Sequence, residues 1–273
     1  MPAITRASTI STGSVRIRPQ HARSTGTPLA WWLLTSRRWT RPLPINVYVI
    51  EHGSGVVLID TGQDRRSVTD PSYFPRGPLR ALYARLATFS IGPDQTLTAG
   101  LSRLGLSASD VTHAVLTHLH QDHIGGLREV PHAQIVASAA ELSAMRSPFA
   151  AFDGVMRQHV DLPGLNWHPI TFRADDAIEP FAAGHDLFGD GTIVLLPTPG
   201  HTVGSLSVLV RAAGRAPLLF VGDLTYNAST GATPGVGSAR RLRESWRLVE
   251  GLRARHPDLV VLAAHDPNAR IPS

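Results

Sequence analysis

Six consecutive residues, His118-Leu119-His120-Gln121-Asp122-His123, carry four side chains able to ligate a metal ion. They follow an apolar pair, Val115-Leu116, that reads as the end of a buried strand. Alternation along a strand puts His118 and His120 on one side as the chain leaves the sheet. Asp122 and His123 then fall on a tight turn, and Gly125-Gly126 gives the backbone freedom just beyond. Imidazole and carboxylate together suit zinc and similar divalent ions. A single histidine is ordinarily a surface or core residue with its hydrogen bond satisfied, and four ligands this dense are not explained that way.

The same arrangement recurs along the chain. Ile193-Val194-Leu195-Leu196 is a continuous apolar run that leads to Thr198-Pro199-Gly200-His201. Leu218 to Val221 ends at Gly222-Asp223, with Tyr226 three residues on, and Leu259-Val260-Val261-Leu262 leads to His265-Asp266. Val56-Val57-Leu58-Ile59 ends at Asp60-Thr61-Gly62, where a carboxylate on a turn could orient a ligand carried by another loop. Apolar strands that repeatedly deliver a His or Asp onto a sharp turn imply one sheet edge that gathers them.

Those strands need partners. Val47 to Ile50 and Val56 to Ile59, separated by His52-Gly53-Ser54-Gly55, read as a hairpin, and Ile135-Val136 and Leu206 to Val210 as further strands. Leu97, Leu101 and Leu104 have helical spacing closed by Gly105. Ser138 with Glu141 forms a capping box that opens a helix through Met145. Ser238 to His256 is amphipathic, with Leu242, Trp246, Val249 and Leu252 on one stripe. Residues 1–27 show no periodicity and read as an extended or partly disordered lead-in, with Trp31, Trp32 and Trp39 packing on the domain. This divides the chain into a lead-in over 1–44 and one domain over 45–273. Residues 63–94, with Tyr73, Phe74, Tyr83 and Leu86, are too long for an ordinary connection. They read either as a surface excursion with one short helix or as a cap-like insertion that offers apolar surface to a substrate. Residues 148–190 read as irregular, and His159, His168 and His185 within them as incidental.

Composition narrows the chemistry. A hydrophobic content of 42% with 17% charged residues in 273 is ordinary for a globular protein of one large domain or two small ones. All 26 basic residues are arginine, giving a net charge of +5, but they are scattered and form no basic run with interleaved aromatics, so nucleic acid is not expected as a partner. Cysteine is absent, which removes disulfides, thiolate ligands and a cysteine nucleophile. No stretch approaches the ~20 apolar residues of a membrane span, and the N-terminus lacks the apolar core of a secretory signal, so the expectation is a cytoplasmic protein with no membrane partner.

His118-x-His120-x-Asp122-His123, Pro199-Gly200-His201-Thr202, Gly222-Asp223 and the late His265 together resemble the metallo-β-lactamase superfamily of hydrolases, over roughly residues 45–266. The resemblance implies an α+β chain in the αββα sandwich of the metallo-β-lactamase fold, two mixed sheets face to face with helices outside. It further implies that His118, His120 and His201 hold one metal, that Asp122, His123 and His265 hold a second, and that Asp223 bridges them. The implied cofactors are two divalent ions, Zn2+ foremost, with iron, manganese and cobalt acceptable to the same donors. A hydroxide bridging such a pair attacks a carbonyl or phosphoryl centre.

Within the superfamily, Asp223-Leu224-Thr225-Tyr226 looks like the Asp-x-x-Tyr of N-acyl-homoserine lactone lactonases, where the phenol sits by the metals and hydrogen-bonds the substrate ester. The chain runs only eight residues past His265, which leaves no room there for the helical or flavodoxin-like additions of other branches. The expected reaction is therefore opening of a lactone ring, with Asp122 and Tyr226 as catalytic residues and a homodimer as the common assembly of such enzymes. Carboxylic-ester, thioester and phosphodiester hydrolysis on the same metals, and a metal-stabilised binding module without turnover, are the alternatives. One departure stands out: Gln121 occupies a position where lactonases often carry an aromatic or small residue.

Overall fold

The structure is a computed structural model that describes residues 4–272; the first three residues of the lead-in and Ser273 lie outside the described residues. Seven strands make the first sheet: β1 (Ile4–Ile17), β2 (Leu43–His52), β3 (Gly55–Ile59), β4 (Ala87–Ser90), β5 (Val111–Val115), β6 (Gln134–Ser138) and β7 (Asn166–Ile170). Their spatial order is β4-β1-β2-β3-β5-β6-β7. Five make the second: β8 (His185–Asp186), β9 (Ile193–Pro197), β10 (Leu206–Val210), β11 (Leu218–Phe220) and β12 (Val260–Leu262), in the order β12-β11-β10-β9-β8.

Alternation of side chains decides which face of each strand turns inward. Tyr48, Ile50, Val57, Ile59 and Val115 of the first sheet meet Ile193, Leu195, Val208 and Phe220 of the second in one buried core. The residues between them point outward and are covered by helices. Val47, Val49 and Leu58 pack under Leu97 and Leu101 of the helix Leu97–Arg103. Val194, Leu196 and Leu219 pack under Leu242, Val249 and Leu252 of the helix Ala239–Arg255, which Ser238 caps by accepting from the Arg241 amide. Burying each such leucine or valine is worth about 1.5–3 kcal/mol, so these stripes hold the outer layers in place. The result is the expected αββα sandwich.

Strand direction decides where the turns gather. β3, β5, β6 and β7 run parallel to one another. In the second sheet β10 is antiparallel to both β9 and β11, and β11 is parallel to β12, so β9, β11 and β12 run one way. The segments after β3, β5, β9, β11 and β12 carry Asp60, His118, His201, Asp223 and His265.

The N-terminal segment and the 63–94 region differ from the sequence reading. The lead-in is extended, but as β1 it lies inside the sheet, paired with β2 on one side and β4 on the other. Trp32 lies on the buried face of the helix Leu29–Thr35 while Trp31 is exposed, and the Arg18 guanidinium lies 3.6 Å over the Trp39 ring. The 63–94 region holds two helices, Arg66–Thr69 and Pro78–Leu86, and the edge strand β4. The 148–190 region, read as irregular, supplies the edge strand β7 and the short β8. Among the described residues no helix is long and apolar enough to cross a membrane.

Candidate metal centre

His118 leaves the end of β5 one residue after Thr117. His120 then stands at the N-cap of the one-turn helix Gln121–Ile124, which carries Asp122 and His123. The turns after β9, β11 and β12 bring His201, Asp223 and His265 to the same place. All seven residues converge. Ligand atoms of His118, His120 and His201 lie within 4.8 Å of one another, as do those of Asp122, His123 and His265, and those of His118, His123 and Asp223. Asp223 faces both outer groups: its Oδ2 is 3.5 Å from His201 Nε2, and its Oδ1 is 3.4 Å from His123 Nε2 and 3.3 Å from His265 Nε2. His159, His168 and His185 lie outside these groups.

The rings are oriented from behind. His123 donates from Nδ1 to Asp60 Oδ2 at 2.7 Å, and His265 from Nδ1 to the Pro44 carbonyl at 2.8 Å. His120 is turned the other way, donating from Nε2 to the Asp153 carbonyl at 2.7 Å. Thr117 Oγ1 donates to Asp60 and lies 3.1 Å from His118 Nδ1, so it accepts that ring's N–H. These contacts set the tautomers. His118, His123 and His265 therefore turn Nε2 inward, and His120 turns Nδ1 inward.

From sequence Glu141 is half of a capping box; in the structure its carboxylate does more. Ser138 does cap the helix by accepting from the Glu141 amide at 3.1 Å. The Glu141 carboxylate, however, is buried and accepts from Leu119 N, Thr202 Oγ1 and Gly204 N at 3.1, 2.8 and 3.0 Å. It thereby ties the loop of His118 and His120 to the loop of His201. The signal was a Glu beside a strand end, and a capping box explains it equally well from sequence.

The donor set fits a divalent cation. His118 Nε2, His123 Nε2, His265 Nε2 and Asp223 Oδ1 are buried and have no hydrogen-bond partner. Buried polar atoms are rarely left so, because each orphan costs about 1–3 kcal/mol. Those of His118, His123 and Asp223 form one group and that of His265 belongs to the adjoining one, where cations would satisfy all four. Charge tells the same story. Burial strips hydration from a cationic ring and holds His118 and His201 well below the ordinary histidine range. For His123, burial acts in the same direction, but the Asp60 and Asp223 carboxylates overcome it and hold the ring well above that range. Burial would push Asp223 up, yet His265, His123 and His201 bring its carboxyl well below the usual range.

Tyr226 completes the floor. It is buried, its ring stacks on His265 at 5.4 Å and 13°, and its hydroxyl donates to Asp223 Oδ2 at 2.6 Å. A cavity of about 370 Å³ opens onto Asp122, His201, Asp223 and Tyr226, with Val15, Ile17, Leu29, Leu86, Phe89 and Phe152 in its apolar wall. The 63–94 region reaches this wall through Tyr83, Leu86, Ala87 and Phe89, while Tyr73 and Phe74 pack with Met156 away from it. His21, which the sequence reading did not single out, also lines the cavity.

The family model of the Metallo-beta-lactamase superfamily matches residues 40–265. The N-acyl homoserine lactonase AttM of Rhizobium radiobacter is 31% identical over 233 residues, which cover 83% of this chain and 83% of that one. The structure of an N-acyl homoserine lactone hydrolase with the product N-hexanoyl-L-homoserine at its catalytic metal center matches with a TM-score of 0.77 at 19% identity, over 97% of this chain and 94% of that chain. AidC, a dizinc quorum-quenching lactonase, matches with a TM-score of 0.64 at 16% identity, over 96% and 87%. At these identities the two structures speak for the fold.

Proposed function

The chain belongs to the metallo-beta-lactamase superfamily and is a metal-dependent hydrolase, and within that class we propose that it opens lactone rings, N-acyl homoserine lactones foremost, at a two-metal centre. His118, His120 and His201 would hold one ion, Asp122, His123 and His265 the other, and Asp223 would span the two. Zn2+ is the ion named first, on the His/Asp donors alone. Bound there, such ions supply Lewis acidity towards the ring carbonyl and lower the pKa of water to ~7, so that hydroxide is available as the nucleophile at neutral pH.

The chain's own residues do the rest. The observation that carries the lactone reading is the Tyr226 hydroxyl, 2.6 Å from the carboxylate that faces both ligand groups and open to the cavity. Burial first, and the Asp223 charge second, hold the phenol well above its ordinary pKa, so it stays a donor through the reaction. It can swing from Asp223 to the ring carbonyl oxygen as charge develops there. Asp122 keeps a side-chain exposure of 16%, against 4% for Asp223, so of the two carboxylates it is the better placed to pass a proton. It would take the proton that the attacking hydroxide still carries and return it to the alkoxide released when the ring C–O bond breaks. The acyl tail would lie along the wall of Val15, Ile17, Leu86 and Phe89.

Turnover of a lactone beside a plain ester, a thioester and a phosphodiester tests this, with Tyr226→Phe in parallel. A lactonase loses about 10²-fold in lactone kcat on losing one such donor and keeps its metals. Faster phosphodiester or thioester turnover, or a Phe variant as active as wild type on lactone, refutes the reading.

A further inference from the structure

The Tyr226 hydroxyl has a second neighbour. His21 Nε2 lies 3.2 Å from the phenol oxygen, with the two rings edge to face at 5.6 Å. The phenol owns one proton and commits it to Asp223 Oδ2, because an ionised carboxylate can only accept. The His21 contact must therefore run the other way, as an imidazole Nε2–H donating into a phenol lone pair. That leaves His21 Nδ1 bare, and it is buried with no partner. Burial lowers the His21 pKa to about 4, so the ring is neutral at pH 7 and has only one N–H to place.

His21 comes from the short helix Pro19–Ala22, outside the stretch 40–265 that matches the family. It is fastened at several points. The His21 carbonyl accepts from Gly235 N at 2.8 Å and Ser24 N donates to the Thr233 carbonyl at 2.8 Å, which ties the segment to the loop downstream of Tyr226. Trp32 closes the far side of the ring at 6.2 Å, and Arg18 donates to the Arg38 and Arg85 carbonyls at 3.2 and 2.9 Å.

We infer that His21 is a positioning residue: its Nε2–H fixes the Tyr226 hydroxyl so that the phenol proton has only two places to point, Asp223 or the substrate oxygen. Donation into the phenol oxygen also strengthens that O–H as a donor, since linked hydrogen bonds polarise one another. The N-terminal segment thus supplies part of the reaction's machinery as well as part of the sheet. This rests on the reading of Tyr226 as the donor to the ring carbonyl.

The test uses the metal-loaded enzyme as wild type, His21→Leu and His21→Gln, each also combined with Tyr226→Phe. The Leu variant is expected to keep its metals and KM and to lose about five- to tenfold in kcat, the worth of one hydrogen bond. The Gln variant, which keeps an N–H near the Nε2 position, should recover most of that. With Phe at position 226 the Leu substitution should cost nothing further. An equal loss in both backgrounds overturns the inference, as does unchanged kcat in the Leu variant. Imidazole 15N shifts, with the His21 signal identified by its loss in His21→Gln, read the tautomer without turnover or substrate. The Nε2–H form is expected, and the Nδ1–H form overturns the inference even if no lactone is ever hydrolysed.

Discussion

Asp60 Oδ2 accepts the Nδ1–H of His123 at 2.7 Å across 63 residues of sequence, and it does so from a backbone φ of +60°. Asp60 is the one non-glycine residue in that left-handed region among the described residues, a conformation that costs about 1–3 kcal/mol. The strain is held because the same carboxylate also accepts from Thr117 N at 2.8 Å and from Thr117 Oγ1. One acidic side chain thus fixes the His123 ring and the turn that begins the His118 to His123 stretch.

Asp60→Asn should keep the fold, since asparagine tolerates the same backbone, but weaken the orientation and basicity of His123. Partners of this kind are worth about 10–100-fold in metal affinity. Competition with a chelator measures it, and the loss should fall on one metal of the pair. Unchanged affinity for both would show that Asp60 serves the turn alone.

Protons and metal compete for the same nitrogens. Burial disfavours charge on His123 and His265, yet the facing carboxylates raise both above the ordinary histidine range, so in protein stripped of metal each ring keeps its second proton to a higher pH than a free imidazole does. Ligation requires the neutral ring, so loading must release protons and affinity must rise with pH. Stability of the stripped protein follows from the same shifts. A raised folded pKa stabilises fully below the unfolded value of ~6.5 and is lost as pH rises through the folded one. His118 and His201, lowered by burial, act in the opposite sense and cost stability as pH falls below that same ~6.5, where the unfolded rings protonate. The stripped protein should therefore melt highest near pH 6.5 and lower on either side. Calorimetry in buffers of different ionisation enthalpy counts the protons released, and none released would contradict the assignment.

Gly154 stands where no side chain fits. Its φ is +89°, and a Cβ there would lie 2.6 Å from the His120 ring, whose orientation depends on the neighbouring Asp153 carbonyl. Gly154→Ala should displace His120 and weaken the site it shares with His118 and His201 by about tenfold or more, with the second site spared. Two metals held as tightly as in wild type would contradict this.

The cluster was legible because its rule is local: an apolar strand, a sharp turn, then a His or Asp. Each piece lies within a few residues, so spacing alone exposed His118 to His123, His201, Asp223 and His265. The parts that were not legible depend on distant partners. β1 showed no alternation because its pairing with β2 shifts register between Ser11 and Ser14, around Gly13 at φ +114°, and because a polar residue, Thr12, is buried there to accept from Gln63 N. β7 escaped because Pro169, with no N–H to donate, fits a strand at a sheet edge, and edge position is a property of the assembled sheet. His21 carried no signal at all. Its meaning comes from Tyr226, 205 residues away.

The most direct test of the account is to load the purified protein with zinc in measured steps and follow proton release from a long-chain N-acyl homoserine lactone at each. Activity should rise through the second equivalent, plateau at two metals per chain, and vanish in His118→Ala. A plateau at one equivalent, or lactone turnover that survives removal of the metal, would contradict a two-metal lactonase.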